Sequence, residues 1–264
     1  RAALEAQYRL DLPLHQQYFA YLGDLAQGDL GPSFKYPGRS VNEILFAGLP
    51  VTAELGLYAL IIALVIGVTA GVFASLKPNT AQDYIPMSLA MIGICMPSFL
   101  LGPLLVLIFG IWLDWLPITG WGDIPGDKIL PAITRGSAYA AYIARLSRAG
   151  MLEILSQDYI RTARAKGLSE RTVIMRHAFR NTMIPMATIL VADFAGVVGG
   201  AFITESVFAW SGMGTLALQG IRGQDLNLLM GVFFITATMA VLANFAADLL
   251  YSALDPRIRV GSGA

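Results

Sequence analysis

Few of the residue types that do covalent chemistry occur in this sequence at a useful spacing. It holds two histidines, His15 and His177, and a single cysteine, Cys95. No G-x-x-x-x-G-K-[ST] run that would cradle nucleotide phosphates is present, and neither is H-E-x-x-H or G-x-S-x-G. Metal and triad catalysis are argued against, no catalytic or metal-ligating residue is assigned, and an intramembrane hydrolase lacks a nucleophile and base. Cys95 lies in an apolar run, where a thiol serves as a small buried hydrophobe. What remains is charge placed where charge is costly. Glu54, Asp193 and Asp248 lie in or beside apolar stretches, and one polar run, DYIRTARAKGL over 158–168, interrupts them.

That run has internal order. Asp158 puts a carboxylate and an N-cap acceptor where a helix would start, Arg164 and Lys166 fall in its last turn, and Gly167 supplies a left-handed stop. A helix of about ten residues is shorter than the ~12–15 that hold together alone in water, so it needs a surface to lean on. Arg161, Arg164 and Lys166, with Tyr159 and Ile160 beside them, give it a mixed basic and apolar face suited to a groove. A second helix is expected from Ser169, carrying Val173, Ile174, His177 and Phe179 towards the next apolar stretch. The plain alternative is an ordinary loop whose charges only orient the chain in a membrane.

The elements that must position these charges are membrane helices. The composition is 56% hydrophobic and 14% charged, and the mean hydropathy is +0.62, too apolar for a soluble domain of this length. Lys and Arg together number 18, as do Asp and Glu, so the overall balance suggests no nucleic-acid partner. Residues 1–50 are polar and rich in turns, with an amphipathic helix expected from Pro13 at its first position. It places Leu14, Tyr18, Tyr21, Leu22 and Leu25 on one side, to lie on the membrane surface, and a short helix is expected near 41–46.

Five apolar spans follow, at about 51–76, 85–112, 129–152, 183–204 and 228–254, each near the ~20 residues of a bilayer crossing. Within the second, Pro86, Pro97 and Pro103 would bend or break the helix. In the third, Arg145 and Arg148 lie near an end from which they can snorkel, and Arg135 lies further in. Gly67 and Gly71, and Gly196 and Gly200, would let helices approach closely. If the 158–168 run is cytoplasmic, most of the Lys and Arg residues fall inside with it. Trp112, Trp115 and Trp121 then cluster at the outer boundary as an aromatic belt, and His15 and His177 lie on opposite sides.

The run YIRTARAKGL, followed by RHAFRN and then IP, resembles the cytoplasmic loop of binding-protein-dependent ABC importer membrane subunits, in the version typical of peptide permeases. Arg161 and Thr162 stand where the general loop consensus has Glu and Ala, while Ala163 and Gly167 match. LDLPLHQQYFAYL and GDLGPSF resemble the region after that family's first transmembrane helix. TESVFAWSGMG over 204–214 resembles its TExvFxxPGxG segment, with Ser211 in place of proline, and DPRIR resembles its ending.

The resemblance implies an all-α integral membrane protein of the type I ABC importer permease fold. This chain would supply five transmembrane helices, and a sixth, N-terminal one is expected from the family; no signal peptide is read in 2–21, which lacks a continuous apolar stretch. It also implies an extracytoplasmic segment over 1–50 and a permease domain over 51–264. Within the latter lie a coupling loop at about 153–182 and an outer re-entrant segment at about 204–227.

By the same resemblance, Tyr159, Ile160, Arg161, Thr162, Ala163, Arg164, Ala165, Lys166, Gly167 and Leu168 form a coupling helix that docks into an ATPase subunit. Glu205, Phe208, Gly212 and Gly214 belong to the outer gate or the binding-protein contact. Glu205 could pair with a buried arginine or mark that interface, the interface being preferred, and the two glycines would shape a turn. The implied partners are a homologous second permease subunit, two cytoplasmic ATPase subunits and an extracytoplasmic peptide-binding protein, in the bacterial inner membrane. ATP and Mg would sit on the ATPases, with no cofactor on this chain. The segment GPSFKYPGRSVNEIL looks most like the oligopeptide branch, while relatives handle dipeptides, glutathione, nickel chelates or sugars. An ion-coupled secondary transporter using Asp193 is the alternative of a different energetic class, and a helix contact is the plain reading of that residue.

Overall fold

The computed structural model describes residues 9, 11–122, 124–183, 186 and 201–254. Among them the regular elements are helices: α1 (Leu14–Ala26), α2 (Val41–Ser75), α3 (Ala81–Cys95) and α4 (Ser98–Leu105), which widens into π-helical turns over Val106–Trp112. After α5 (Ile129–Leu155) and α6 (Asp158–Ala165) comes α7 (Glu170–Thr172), which widens likewise over Val173–Phe179. Last come α8 (Phe202–Val207), α9 (Met213–Gly223) and α10 (Leu226–Leu254). An isolated bridge pairs Pro32 with Ser40. The all-helical expectation is met. Most of the expected fourth span, with Asp193, Gly196 and Gly200, and the DPRIR ending lie outside the described residues.

Among the described residues, two helices are long and apolar enough to cross a membrane: α2 and the Leu226–Ala246 part of α10. The helices Ala81–Cys95 and Ser98–Trp112 add a third if the pair, bent by 110°, is one span. Of the three prolines expected to disturb that stretch, only Pro97 breaks it. Met96, ahead of it, is pushed to extended backbone at φ −91° and ψ 116°, whereas Pro86 and Pro103 sit inside their helices. Cys95, expected to be buried, is exposed, because α3 turns only Asp83 fully inward.

The expected short helix near 41–46 and the first span are one helix. Ser40 caps it by accepting the Glu43 N–H, and it continues through Pro50, whose ring removes one donor without ending it. At 35 residues α2 is about 50 Å long, more than the ~30 Å of a bilayer's hydrocarbon, and residue 50 falls well inside it. Before it, Pro13 stands just outside α1 as its N-cap, and Leu14, Tyr18 and Leu22 of α1 are exposed.

The main seam of the molecule joins α2 to α5, which run parallel. The buried stripe of α2 shrinks along its length, from Leu45 and Leu55 to Ala59, Ala63, Gly67 and Gly71. A Cβ added at Gly67 would come within 2.6 Å of the Ala140 carbonyl oxygen, and one at Gly136 within 2.6 Å of that of Ala59. Backbones touch here. That explains why α5, the expected third span, carries Arg135, Arg145 and Arg148 and still forms an unbroken helix: much of it is covered by protein, and Arg135 lies over the ring of Tyr139. α3 runs antiparallel to α5, with Gly93 against the Ser137 carbonyl.

The polar segment before α2 folds onto the α9–α10 junction. Asp225 is buried and accepts from the Ser33 hydroxyl, the Lys35 N–H at 3.2 Å and the Leu228 N–H at 3.2 Å. Burial alone would raise its pKa, but these hydrogen bonds together outweigh it and hold the carboxyl below its usual value. Leu30, Val41, Leu45, Met213, Leu216 and Leu228 pack beside it in one apolar cluster.

The α2–α5 seam predicts a size limit. Gly71→Ala, whose methyl would meet the Ala144 carbonyl and Ser147 Cβ, is expected to destabilise the protein by about 1–3 kcal/mol, read as a lower melting temperature in detergent. Gly23→Ala, where nothing lies within 4 Å, should leave the melting temperature unchanged or slightly raised.

Candidate functional site

The 158–168 run forms α6, but one residue earlier than expected. Gln157 takes the extended N-cap position and Asp158 becomes the first helical residue, so its carboxylate faces the helix N-terminus without making a capping bond. The stop is as expected. Gly167 has φ +77°, its N–H reaches the Arg164 carbonyl at 2.9 Å, and the Leu168 N–H reaches the Ala163 carbonyl at 3.4 Å. Those two bonds close the helix end in the reversed pattern that needs a left-handed residue.

Ser169 then caps α7 by accepting the Thr172 N–H at 3.4 Å. Across the glycine, Arg164 grips Glu170 with both arms, Nε to Oε2 at 3.1 Å and Nη2 to Oε1 at 2.7 Å. The Arg164 guanidinium holds the Glu170 carboxyl below the usual carboxylate range, so this clasp is present at neutral pH and is lost only as pH falls through that lowered value.

The short helix leans on its own chain. Ile160 is fully buried and Ala163 nearly so, in a cluster with Met151, Val173 and Ala178, and Ile154 and Leu155 pack against it. Asn181 adds a 2.9 Å hydrogen bond to the Tyr159 hydroxyl. Ile160 and Ala163 are therefore removed from the expected docking face, because a helix of eight residues must spend its apolar side on the body that carries it. Tyr159, Arg161, Thr162, Arg164, Ala165, Lys166, Gly167 and Leu168 remain exposed. Together they make a basic surface with two apolar side chains, Tyr159 and Leu168.

At the other end of the molecule, Glu205 is fully buried instead of marking an outer contact surface. Its Oε1 accepts from the Thr52 hydroxyl at 2.6 Å and its Oε2 from the Thr215 N–H at 2.9 Å. Thr52 in turn accepts the Met213 N–H at 2.7 Å. One carboxylate thus ties α2, α8 and α9 together. Gly212 is needed for this, since a Cβ there would collide with the Glu205 carboxylate and Thr52 Oγ1, and Gly214 lies against the Phe202 backbone. Both glycines act through close approach, Gly212 having extended backbone at φ −92° and ψ −174°. Phe208 is buried among Leu55, Leu130, Ala201 and Trp210. None of Glu205, Phe208 and Gly212 is available to a soluble partner.

Two further ion pairs were not expected from the sequence. Lys128 pairs with Glu54 and lies 4.5 Å from the Trp121 ring centroid, while Trp112 and Trp115 are exposed nearby in the chain. Arg148, expected to snorkel, donates to Asp83 instead. The available signal was an acid near the start of an earlier apolar span, Glu54 or Asp83, and a base beside or within the third, Lys128 or Arg148. Asp248, the other acid singled out, is exposed on α10.

Residues 55–260 match the family described as binding-protein-dependent transport system inner membrane component. The chain is 45% identical over 259 residues to the oligopeptide transport system permease protein OppB of Haemophilus influenzae, covering 98% of this chain and 85% of that protein. Identity to OppB of Escherichia coli K12 is 43% over the same coverage. The dipeptide transport system permease protein DppB of Bacillus subtilis is 42% identical, covering 97% of this chain and 83% of its own length.

Among solved structures, an inward-facing form of the MetNI methionine ABC transporter superposes with a TM-score of 0.67 at 17% identity. It covers 80% of this chain and 96% of that one, which establishes the expected ABC importer permease fold. The chain belongs to the family of inner membrane components of binding-protein-dependent transport systems.

Proposed function

We propose that this chain forms one half of the membrane path of an ATP-driven oligopeptide importer. A homologous permease would form the other half, two cytoplasmic ATPase subunits would hold ATP and Mg, and an extracytoplasmic binding protein would deliver peptide. The observation that carries the reading is the α6–Gly167–α7 element. It is stopped at Gly167, capped again at Ser169, clasped by Arg164 and Glu170 and anchored by Ile160 in the cluster that includes Met151 of α5, while it presents Arg161, Lys166, Tyr159 and Leu168 to the aqueous phase. A loop that only oriented the chain would need the charges but not the clasp, the left-handed stop or the buried anchor. The names of the relatives above support the substrate class. Because DppB is nearly as similar as OppB, dipeptide import is the second reading.

In this reading the partner ATPases supply the work, and this chain's own residues receive it. The exposed side of α6 would sit in a groove of the ATPase, and Ile160 and Ala163 would pass displacement to Met151 and α5 through direct packing. Alternating access needs two discrete arrangements of packed helices, and small-residue seams such as α2–α5 and α3–α5 allow helices to pivot without large side chains interlocking.

The reconstituted complex should hydrolyse ATP several-fold faster with peptide-loaded binding protein than without it. Uptake of labelled tri- to pentapeptides should persist when a protonophore collapses the gradient and ATP remains; uptake that vanishes with the gradient would overturn the proposal in favour of ion coupling. Competition by dipeptides alone would shift the substrate to the second reading, and competition only by glutathione or nickel chelates would remove peptides altogether.

Gly167→Pro cannot adopt φ +77°. It should lower stimulated hydrolysis roughly tenfold or more while membrane insertion is retained, whereas Gly167→Asn, which tolerates the left-handed region, should keep most of it. Unchanged stimulation in the proline variant would show that the helix end has no part in coupling.

A further inference from the structure

The pair formed by Asp83 and Arg148 is placed where its removal would separate movement from stability. Arg148 Nε donates to Asp83 Oδ1 and Nη2 to Oδ2, each at 2.6 Å, and the Asn79 N–H adds a third bond to the carboxylate at 2.9 Å. Asp83 is 2% exposed. It sits in the first turn of α3, and Arg148 sits on α5 one turn before Met151. Such a planar two-armed contact fixes orientation as well as distance.

Above the pair, the α3–α5 seam is made of small groups. Gly93 lies against the Ser137 backbone, so the two helices have little there to stop them sliding along each other. Below it, Met151 is fully buried in the cluster that holds Ile160 and Ala163 of α6. α3 itself leads to the break at Pro97 and so to α4, where Gly102 lies against Thr134 of α5 and against Val207 and Phe208 of the outer closure. A displacement of α6 therefore reaches α5 through that cluster, and α5 meets α4 directly at Thr134 and Gly102, whereas α3, with small groups against α5 at Gly93, follows in step only through a directional link.

We propose that the Asp83–Arg148 fork is that link: it makes α3 follow α5 when α6 is moved, and so carries ATPase-driven displacement past the Pro97 break to the outer segment around Phe208. The inference rests on the importer reading above. Asp83 and Arg148 are positioning residues in it, touching neither substrate nor nucleotide.

The test uses the complete transporter in proteoliposomes, with Cys95→Ser as background and Ala209→Cys, at an exposed outer position, as a reporter for an impermeant maleimide. In that background, nucleotide should change the reporter's labelling rate and loaded binding protein should stimulate hydrolysis. Asp83→Asn and Arg148→Lys are expected to keep basal ATP hydrolysis per assembled complex. The stimulated-to-basal ratio should fall by about fivefold or more, the size of an ordinary coupling between sites, and the labelling response should be lost. The charge swap Asp83→Arg with Arg148→Asp should recover at least part of both.

If Asp83→Asn fails to assemble, Arg148→Lys decides, since it keeps the charge and loses only the fork. A normal ratio and labelling response in the surviving variants, with only the amount of assembled complex reduced, would assign the pair to stability alone and overturn the inference. Absence of stimulation in the background protein would instead overturn the importer reading itself.

Discussion

The architecture depends on two backbones touching. Within a bilayer, apolar side chains gain little by leaving lipid for protein, so helices are held by close packing and by polar contacts that lipid cannot offer. Ala59, Ala63, Gly67 and Gly71 on α2, facing Gly136, Ala140 and Ala144 on α5, remove side-chain bulk until main-chain atoms make the contact. Everything else is hung on that pair of parallel helices. α3 lies back along α5, α4 turns across one end, and α6 is fixed to the other through Met151, Ile154 and Leu155.

At the ends, where the seam gives way to larger side chains, buried charges take over as fasteners. Glu205 binds α2, α8 and α9, Asp225 binds the 33–35 segment to the start of α10, and Asp83 binds α3 to α5. A buried carboxylate is costly unless its lone pairs are used, and each of these uses both of its oxygens. The return is specificity. An apolar patch tolerates slippage by a turn, whereas a carboxylate with fixed donors does not, and these are the junctions where a slip would leave the chain's ends misplaced.

What could be read from the sequence follows a physical division. Features set by one residue's own backbone were legible: Gly167 as a left-handed stop, Ser169 as a cap, Pro97 as a break, and Gly67 with Gly71 as a contact face. Features set by what lies across the fold were not. Asp158 looked like the cap because its side chain is the better acceptor, yet tertiary anchoring of Ile160 fixes the phase of α6 and leaves Gln157 in the capping position. The helix near 41–46 and the span from 51 read as separate elements, but packing of Val41, Ile44 and Leu45 against the α9–α10 pair holds the turns before Pro50 helical. Glu205 read as a surface feature because its partners, the Thr52 hydroxyl and the Thr215 backbone N–H, carry no charge to announce them.

The same division bears on how force can cross this molecule. A helix as short as α6 has no stability of its own to lend, so it transmits displacement only as far as its anchorage is stiff. Its anchorage is one buried cluster, in which Ile160 and Ala163 join Val173 and Ala178 of the turns after α7 as well as Met151 of α5, and the Arg164–Glu170 clasp ties α6 to α7. The exposed face, by contrast, is built of long basic side chains and the rims of Tyr159 and Leu168, which adapt to a partner at modest cost. A stiff attachment behind and a compliant surface in front is what the proposed docking of another subunit at this helix would require. Two of the eight residues of α6, Ile160 and Ala163, are spent on the chain's own core.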